Sequence, residues 1–180
     1  TLFHSYCFDF SVWEMYGALL YGGRLVMVPR DTARDPGVFL EMLKRESVTI
    51  LNQTPSAFYR LAELGVAEPL NGSGLKCLRY IIFGGEALKP RKLLVWALKY
   101  PGTSLINMYG ITETTVHVTF RLLKYDDLLR DDPVIGTPIP TLRVYVLDEN
   151  RALVPLGVAG ELAVGGDGVC RGYLNRPELT

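Results

Sequence analysis

The sequence predicts an α/β fold, in which a parallel sheet flanked by helices is followed by the start of a smaller β-rich subdomain. Two observations lead to this prediction. Over residues 1–132, short segments that are apolar throughout alternate with helical segments, as in a parallel sheet buried on both faces. Beyond Asp132, short strand and turn segments follow one another with no helical segment between them. We therefore expect one unit over residues 1–132 and the start of a second, smaller unit over residues 133–180.

The first helical segment is SVWEMYGALLYGG, at residues 11–23. Ser11 and Glu14 have the spacing of a capping box, in which each side chain bonds a backbone N–H at the helix start. Gly22 and Gly23 supply a stop signal. We therefore predict a helix that begins at Ser11 and ends at this glycine pair.

Three further segments are predicted as helices: DPGVFLEMLKRE, TPSAFYRLAELG and KPRKLLVWALKY. Asp35 is the expected cap of the first of them, with Pro36 at its first helical position. Thr54 is the expected cap of the second, which begins at Pro55 and ends at Gly65.

Four apolar segments are predicted as strands of the parallel sheet: RLVMVP, VTILN, RYIIFGG and SLINMYG. In open α/β sheets, ligands bind beyond the carboxyl ends of the strands. Three of these ends carry something other than a plain turn, namely Asn52, Gly84-Gly85-Glu86 and Asn107-Met108-Tyr109-Gly110. We therefore expect the binding site at this edge of the sheet.

The composition argues against several classes of partner. Hydrophobic residues make up 48% and charged residues 21% of the chain, and the formal net charge is +0. With no basic field, we expect neither nucleic acid nor a membrane as partner. The longest apolar run, Leu93–Leu98, is too short to span a bilayer. Cys7, Cys77 and Cys170 are odd in number and far apart, which favours a reducing cytoplasm over a disulfide framework.

A cluster of hydroxyls around one carboxylate, Thr112-Glu113-Thr114-Thr115, follows the last of these strands. Such a cluster can hold a phosphate and its magnesium ion, or it can simply end the strand. No G-x-x-x-x-G-K-[ST] motif is present, so a P-loop is excluded. GGDGVCRG, at residues 165–172, lacks the dinucleotide-loop spacing and is soon followed by Pro177, so we interpret it as glycine turns.

Three motifs stand in the order and separation of a known family: FDFS at 8–11, NMYGITE at 107–113 and GELAVGGDGVCRGYL at 160–174. On these motifs the chain resembles the central part of an adenylation domain of a nonribosomal peptide synthetase. That family belongs to the adenylate-forming superfamily, with acyl-CoA synthetases and luciferases. Ile111 departs from the family, which often has proline there. The family's upstream phosphate loop, ribose-binding aspartate and C-terminal lysine have no match here, so the resemblance implies that this fragment alone is inactive.

The resemblance implies a reaction in two steps. The carboxylate of an amino acid attacks the α-phosphate of Mg-ATP, giving an aminoacyl adenylate and pyrophosphate. A phosphopantetheine thiol on a carrier domain then accepts the acyl group. The implied cofactors are ATP and Mg²⁺, with phosphopantetheine on the carrier. The implied partners are an L-amino acid and the peptidyl carrier and condensation domains of the parent synthetase.

The resemblance also implies the nucleotide-binding residues. The match of Tyr109 lies against adenine, and that of Asn107 hydrogen-bonds its amino group. The implied catalytic residues are Thr112, which contacts phosphate, and Glu113, which helps to hold magnesium. The other implied nucleotide contacts are Gly85, Glu86, Ala87 and Gly110.

Nine positions are implied to line the amino-acid pocket: Asp9, Phe10, Trp13, Asn52, Ile82, Gly84, Met108, Val116 and His117. Asp9 would pair with the α-ammonium group of the substrate. Asn52 and His117 are the polar side chains, and the set resembles that of threonine-activating domains. The alternatives are that Asp9 only caps a helix, that Phe10 and Trp13 are ordinary core residues, and that His117 is structural.

Two other functions stay open from the sequence. One is an acyl-CoA synthetase of the same superfamily, whose substrates carry no ammonium group for Asp9 to bind. The other, from a different class, is a non-catalytic α/β domain that binds a ligand without turnover.

Overall fold

The computed structural model describes residues 1–69 and 75–180. The strands are β1 Ile50–Gln53, β2 Tyr80–Phe83, β3 Ser104–Tyr109, β4 Thr119–Leu122, β5 Thr137–Pro138, β6 Leu142–Leu147 and β7 Glu161–Gly166. The α-helices are α1 Phe10–Leu19, α2 Arg30–Arg34, α3 Pro36–Arg45, α4 Pro55–Ala67, α5 Leu94–Lys99 and α6 Tyr125–Leu128. Short 3₁₀ helices lie at Pro90–Leu93, Thr112–Thr114 and Pro177–Leu179.

The larger sheet is mixed and has the strand order β1-β2-β3-β4-β5. β1, β2 and β3 are parallel, whereas β4 and β5 are added in antiparallel orientation. β6 and β7 form a separate antiparallel pair. The predicted α/β fold with a smaller β-rich part is therefore confirmed, with the difference that the sheet is only partly parallel.

The register of the parallel strands brings their carboxyl ends to one edge. Gln53, Phe83 and Asn107 stand level across β1, β2 and β3. One residue earlier, Asn52 and Ile82 stand level with Ile106 and share a face of the sheet. The strand ends that the sequence singled out therefore meet, as the alternation of strands and helices predicted.

The two faces of the sheet carry different clusters. The main core contains Leu51, Ile81, Phe83 and Leu105 from the strands, together with residues of α3, α4 and α5. On the opposite face, Ile82 and Ile106 pack with Phe10 of α1 in a smaller cluster. The second face is the one that leads to the candidate site.

The predicted strand RLVMVP is wrong, because this segment makes only an isolated bridge between Leu2 and Met27. Leu2 exchanges backbone hydrogen bonds with Val26 and Val28, at 2.8 and 3.0 Å. A continuous strand requires a partner for several consecutive residues, and here a single residue supplies the pairing. β4, in contrast, was not predicted, because its short half-exposed run becomes a strand only through the antiparallel edge that β3 offers.

The predicted capping box of the first helix is also wrong. α1 begins at Phe10, so Ser11 lies inside the helix and is buried. The carboxylate of Glu14 accepts hydrogen bonds from the backbone N–H groups of Phe3, at 3.2 Å, and His4, at 3.0 Å. It also lies 3.2 Å from Nδ1 of His4. Glu14 therefore holds the start of the chain against the helix instead of capping it.

The other helices follow their predicted start signals more closely. Asp35 caps α3, since its Oδ1 accepts from the backbone N–H groups of Gly37, at 2.9 Å, and Val38, at 3.1 Å. α4 begins at Pro55, as predicted, but the Thr54 side chain makes no capping hydrogen bond and the helix continues past Gly65 to Ala67. Gly65 lies directly under the Trp96 ring of α5, where an added Cβ would collide with the indole. Its role is close helix packing and not helix termination.

The predicted KPRKLLVWALKY helix forms in two parts, a 3₁₀ turn over Pro90–Leu93 and then α5. β5 pairs with β4, so the larger sheet continues beyond residue 133. The proposed division between residues 132 and 133 stays a prediction. Among residues 1–69 and 75–180, no helix has the length and apolar character needed to cross a membrane.

Replacing Asp35 with alanine removes the Oδ1 acceptor and leaves two N–H groups of α3 without a side-chain partner. We expect the free energy of unfolding to fall by about 1 kcal/mol. Asp35→Asn keeps an acceptor oxygen and is the matched control, expected to stay within a few tenths of a kcal/mol of wild type. Urea denaturation followed by tryptophan fluorescence measures both variants, and an equal loss in both would contradict the capping role.

Candidate functional site

A cleft of about 260 Å³ opens where the loop before α1, the glycines after β2 and the turn after β3 meet. We call this feature the cleft. Its lining residues are Phe8, Asp9, Phe10, Gly84, Gly85, Met108, Gly110, Ile111, Thr112, Glu113, Val116 and His117. Most of the predicted amino-acid pocket and part of the predicted nucleotide site therefore share one opening. The role of each residue stays a prediction.

The floor of the cleft is made by Phe10, which is 1% exposed and packs on Ile82 and Ile106. Gly84 lies against this ring, since an added Cβ would be 3.3 Å from Phe10 Cε1 and 3.6 Å from the Met108 carbonyl oxygen. Any larger side chain at Gly84 would push into the ring or fill the cleft. Phe10 is thus both a core residue and a wall of the site.

Asn52 and Trp13 are not among the residues that line the cleft, and both line another cavity of about 620 Å³. The Trp13 indole N–H donates to Asn52 Oδ1 at 2.9 Å. The same indole packs edge-to-face on His117, with ring centroids 5.7 Å apart. Trp13 therefore contacts a wall of the cleft at His117, and Asn52 contacts Trp13. The sequence did not predict this arrangement.

His117 is buried, with 7% of its surface exposed, and its ring meets Phe10 edge-to-face at 5.3 Å. Burial lowers the pKa of His117 from 6.5 to about 4, although the nearby charge of Asp9 acts in the opposite direction. The imidazole is consequently neutral near pH 7. Its buried Nε2 has no hydrogen-bond partner among the described residues. An unpaired buried nitrogen on a cleft wall is a position where a ligand can supply the missing partner.

Asp9 joins two parts of the site that are distant in sequence. Its Oδ2 accepts a hydrogen bond from the Thr112 hydroxyl at 2.8 Å. Asp9 stands just before α1 but its side chain makes no capping hydrogen bond. The alternative that Asp9 only caps the helix is therefore wrong. Its carboxylate faces the turn after β3, where it is available to a cation in the cleft.

The turn after β3 has an unusual backbone. Thr115 and Val116 adopt φ angles of +60° and +68°. The left-handed region is rare for β-branched residues and is costly enough that it persists mainly where surrounding contacts impose it. One such contact is at Gly110, where an added Cβ would clash with the Val116 carbonyl oxygen.

The four residues of the hydroxyl cluster divide into two roles. Thr114 is buried and its hydroxyl donates to the Ile111 carbonyl at 2.9 Å, which stabilises the turn. The Thr115 hydroxyl donates to the Gly168 carbonyl at 2.7 Å. Thr112 and Glu113, in contrast, line the cleft. No local pattern in the sequence distinguishes these two roles.

Glu113 is the carboxylate that the resemblance assigns to magnesium. Its Oε1 accepts a hydrogen bond from the Tyr173 hydroxyl, which lowers the pKa of Glu113 and raises that of Tyr173. No group of three or more His, Cys, Asp or Glu side chains that could hold a metal occurs within the described part of the chain. Mg²⁺ commonly binds proteins through one or two carboxylates, with substrate phosphates and water completing its shell. A single carboxylate beside a turn that is predicted to contact phosphate fits that pattern.

The other predicted nucleotide residues are more dispersed. Asn107 is buried and its side-chain amide donates to the Val134 carbonyl at 3.0 Å. Tyr109, which is 39% exposed, ends β3 outside the cleft lining. Glu86 accepts hydrogen bonds from the backbone N–H and hydroxyl of Ser56, at 3.1 and 2.9 Å, at the start of α4. Ala87 is exposed in the following loop.

Sequence reasoning missed three residues of the site. Phe8 and Ile111 line the cleft, and Tyr173 contacts Glu113. Phe8 also packs over the left-handed Gly85, whose added Cβ would lie 3.1 Å from Phe8 Cζ. Each of the three lies inside a motif that carried the resemblance, so membership of a motif was the available signal.

Comparisons with known proteins show what the chain resembles in sequence and in fold. Residues 1–174 match the sequence model of the family described as AMP-binding enzyme. The dimodular nonribosomal peptide synthase of Bacillus subtilis (strain 168) is 56% identical over 183 residues, which is 100% of this chain and 8% of that protein.

Two solved structures are similar in fold. PA1221, a nonribosomal peptide synthetase protein containing adenylation and PCP domains, superposes with a TM-score of 0.84 at 30% identity, over 98% of this chain and 34% of that one. The nonribosomal peptide synthetase FmoA3 (S1046A), in its form with α-methyl-L-serine-AMP bound, gives a TM-score of 0.90 at 27% identity, over 98% of this chain and 20% of that one. The chain thus spans a small part of the length of these relatives. On the family match and these similarities, the chain belongs to the AMP-binding enzyme family, among the adenylation domains of nonribosomal peptide synthetases.

Proposed function

We propose that the chain provides the amino-acid pocket and part of the nucleotide site of a domain that forms an aminoacyl adenylate from ATP and L-threonine. The observation that carries the proposal is the content of the cleft. It contains a carboxylate, Asp9, and an unpaired neutral imidazole, His117, next to the Thr112-Glu113 turn. Asp9 and His117 therefore suit an α-amino acid with a polar side chain, and the adjoining Thr112-Glu113 turn suits a phosphate.

Asp9 is the proposed partner of the substrate α-ammonium group. Binding there would fix the amine and leave the substrate carboxylate free to approach the α-phosphorus of ATP. An oxygen of that carboxylate forms the new bond to phosphorus, and pyrophosphate leaves with the electrons of the broken P–O bond. Such an in-line displacement depends chiefly on positioning and on charge neutralisation. Mg²⁺, held by Glu113 with the phosphates, would supply part of that neutralisation.

His117 is the proposed contact of the substrate side chain. A neutral imidazole can hydrogen-bond a β-hydroxyl group, and the apolar walls Phe10 and Met108 suit the methyl group of threonine. The FmoA3 structure is supportive, because its bound adenylate carries an α-methyl-L-serine, which has a hydroxyl on its β-carbon. Transfer of the acyl group to a carrier-bound phosphopantetheine is part of the same proposal, supported by the adenylation and PCP domains of PA1221. Condensation domains are the further proposed partners in the parent synthetase.

The two alternative functions, an acyl-CoA synthetase and a non-catalytic binding domain, explain fewer features of the cleft. An acyl-CoA synthetase needs no carboxylate at Asp9, since its acid substrates have no ammonium group. A non-catalytic binding domain would explain the cleft, but similarity to synthetases favours catalysis. Turnover separates this last alternative from the proposal.

Amino-acid-dependent pyrophosphate exchange, measured on the complete parent synthetase with threonine, serine, valine and an aryl acid, tests the substrate assignment. Threonine should give the highest kcat/KM. Serine should be lower by roughly 10- to 200-fold, because one methyl group contributes little discrimination, and valine by up to ~10⁴-fold, because it leaves the polar wall unpaired. A preference for valine over serine would refute the pocket assignment, and absence of exchange with every acid would favour a binding domain.

Asp9→Asn removes the negative charge but keeps an oxygen that can accept the Thr112 hydrogen bond. We expect the KM for threonine to rise by about 100-fold or more, since an ammonium group loses its charged partner. Asp131→Asn is the control, because Asp131 is exposed and lies among Lys89, Arg91 and Lys92, away from the cleft. Equal effects of the two substitutions on KM would contradict the role of Asp9.

The low pKa of His117 predicts a pH dependence of stability. The unfolded chain binds a proton on this residue below about pH 6.5, whereas the folded protein does so only near pH 4. The free energy of unfolding should therefore decrease as the pH falls from 6.5 towards 4, and His117→Gln should reduce this decrease. Histidine NMR should show a His117 signal, assigned by its loss in the variant, that does not titrate above pH 5. A midpoint near 6.5 would contradict the neutral, buried imidazole.

A further inference from the structure

The loop that follows β7 is attached to the turn that follows β3. The Cys170 backbone N–H donates to the Glu113 carbonyl at 2.8 Å, and the Thr115 hydroxyl donates to the Gly168 carbonyl at 2.7 Å. The Tyr173 hydroxyl donates to the Glu113 carboxylate. The smaller sheet thus contacts the same short turn that carries Thr112 and Glu113.

The two segments lie close enough for their backbones to touch. An added Cβ on Gly168 would lie 3.2 Å from the Thr114 carbonyl oxygen and 3.1 Å from Leu142 Cδ2. Gly166 turns the chain out of β7 with a φ of +123°, a conformation that favours glycine. The glycines of GGDGVCRG therefore allow the loop to reach the turn.

Two of these three hydrogen bonds are accepted by backbone carbonyl groups. Only the third, from Tyr173, is accepted by a side chain with a proposed function, that of Glu113. The bonds made by Cys170 and Thr115 already fix the loop to the turn. The Tyr173 hydroxyl adds a hydrogen bond to Oε1 of the Glu113 carboxylate. A partly exposed glutamate otherwise exchanges rotamers, and holding it in one rotamer removes that entropy cost from ligand binding.

We propose that Tyr173, which lies outside the cleft, is a positioning residue that holds the Glu113 carboxylate in the orientation used to bind a divalent cation with the nucleotide phosphates. This inference rests on the proposed function, because that proposal makes Glu113 a magnesium ligand. The smaller sheet then contributes to the metal site without supplying a ligand of its own. Tyr173 is 45% exposed, so its replacement by phenylalanine leaves no buried cavity.

The test compares ATP binding with and without Mg²⁺ in the complete parent synthetase, by calorimetry in MgCl₂ and in EDTA. In Tyr173→Phe, we expect the Mg²⁺ concentration for half-maximal ATP binding to rise by roughly 3- to 30-fold, because a hydrogen bond to a charged group is lost. ATP affinity in EDTA should be unchanged. Tyr145→Phe is the matched control, because Tyr145 on β6 is 40% exposed and its hydroxyl makes no hydrogen bond within the described residues.

A double-mutant comparison separates positioning from general damage. In a Glu113→Gln background, Tyr173→Phe should produce no further change in the Mg²⁺ dependence, because the group that it positions is already altered. Unchanged Mg²⁺ dependence in Tyr173→Phe would overturn the inference. So would parallel losses of affinity in MgCl₂ and EDTA, or additive effects of the two substitutions.

A failure of this inference can be distinguished from a failure of the proposed function. Threonine-dependent exchange by the wild-type parent synthetase, together with an unchanged Mg²⁺ dependence in Tyr173→Phe, would reject only the inference. A wild-type parent synthetase that binds Mg-ATP but exchanges pyrophosphate with no amino acid would reject the proposed function, while the binding comparison would still test the position of Glu113.

Discussion

The parallel register of β1, β2 and β3 is the constraint on which the other features of the molecule depend. Because Asn52, Ile82 and Ile106 stand level, their side chains share one face of the sheet. Phe10 packs on the two isoleucines and brings the start of α1 to the same edge. A one-residue slip would exchange this face for the main core face and separate the elements of the cleft.

Packing on that face then determines the electrostatics of the site. Phe10 and Trp13 surround His117, and the loss of water around its ring keeps the imidazole neutral. Asp9, one residue before Phe10, is held at the cleft edge and reaches Thr112. An apolar cluster thus places a carboxylate and an uncharged nitrogen at different points of one small volume.

The turn after β3 shows how the smaller sheet contributes to the site. Left-handed Thr115 and Val116 would be unfavourable in an isolated peptide. Here the buried Thr114 hydroxyl, the close approach of Gly110 and the loop after β7 impose that conformation together. The two sheets are therefore joined at the residues with the proposed phosphate chemistry, although Thr115 and its partner Gly168 lie 53 positions apart in the chain.

The sequence by itself determined the alternation of strands and helices, the cap at Asp35 and the edge at which the strand ends meet, because periodicity and capping act over a few residues. The tertiary structure decided the rest. Glu14 had the spacing of a capping residue but found partners at Phe3 and His4. RLVMVP had the composition of a strand but only one pairing residue, whereas TFRL became β4 beside β3. The contact between Tyr173 and Glu113 joins residues 60 positions apart, and no local pattern encodes such a pair. Local signals fix which elements a segment can form, and long-range partners determine which of its side chains are free for function.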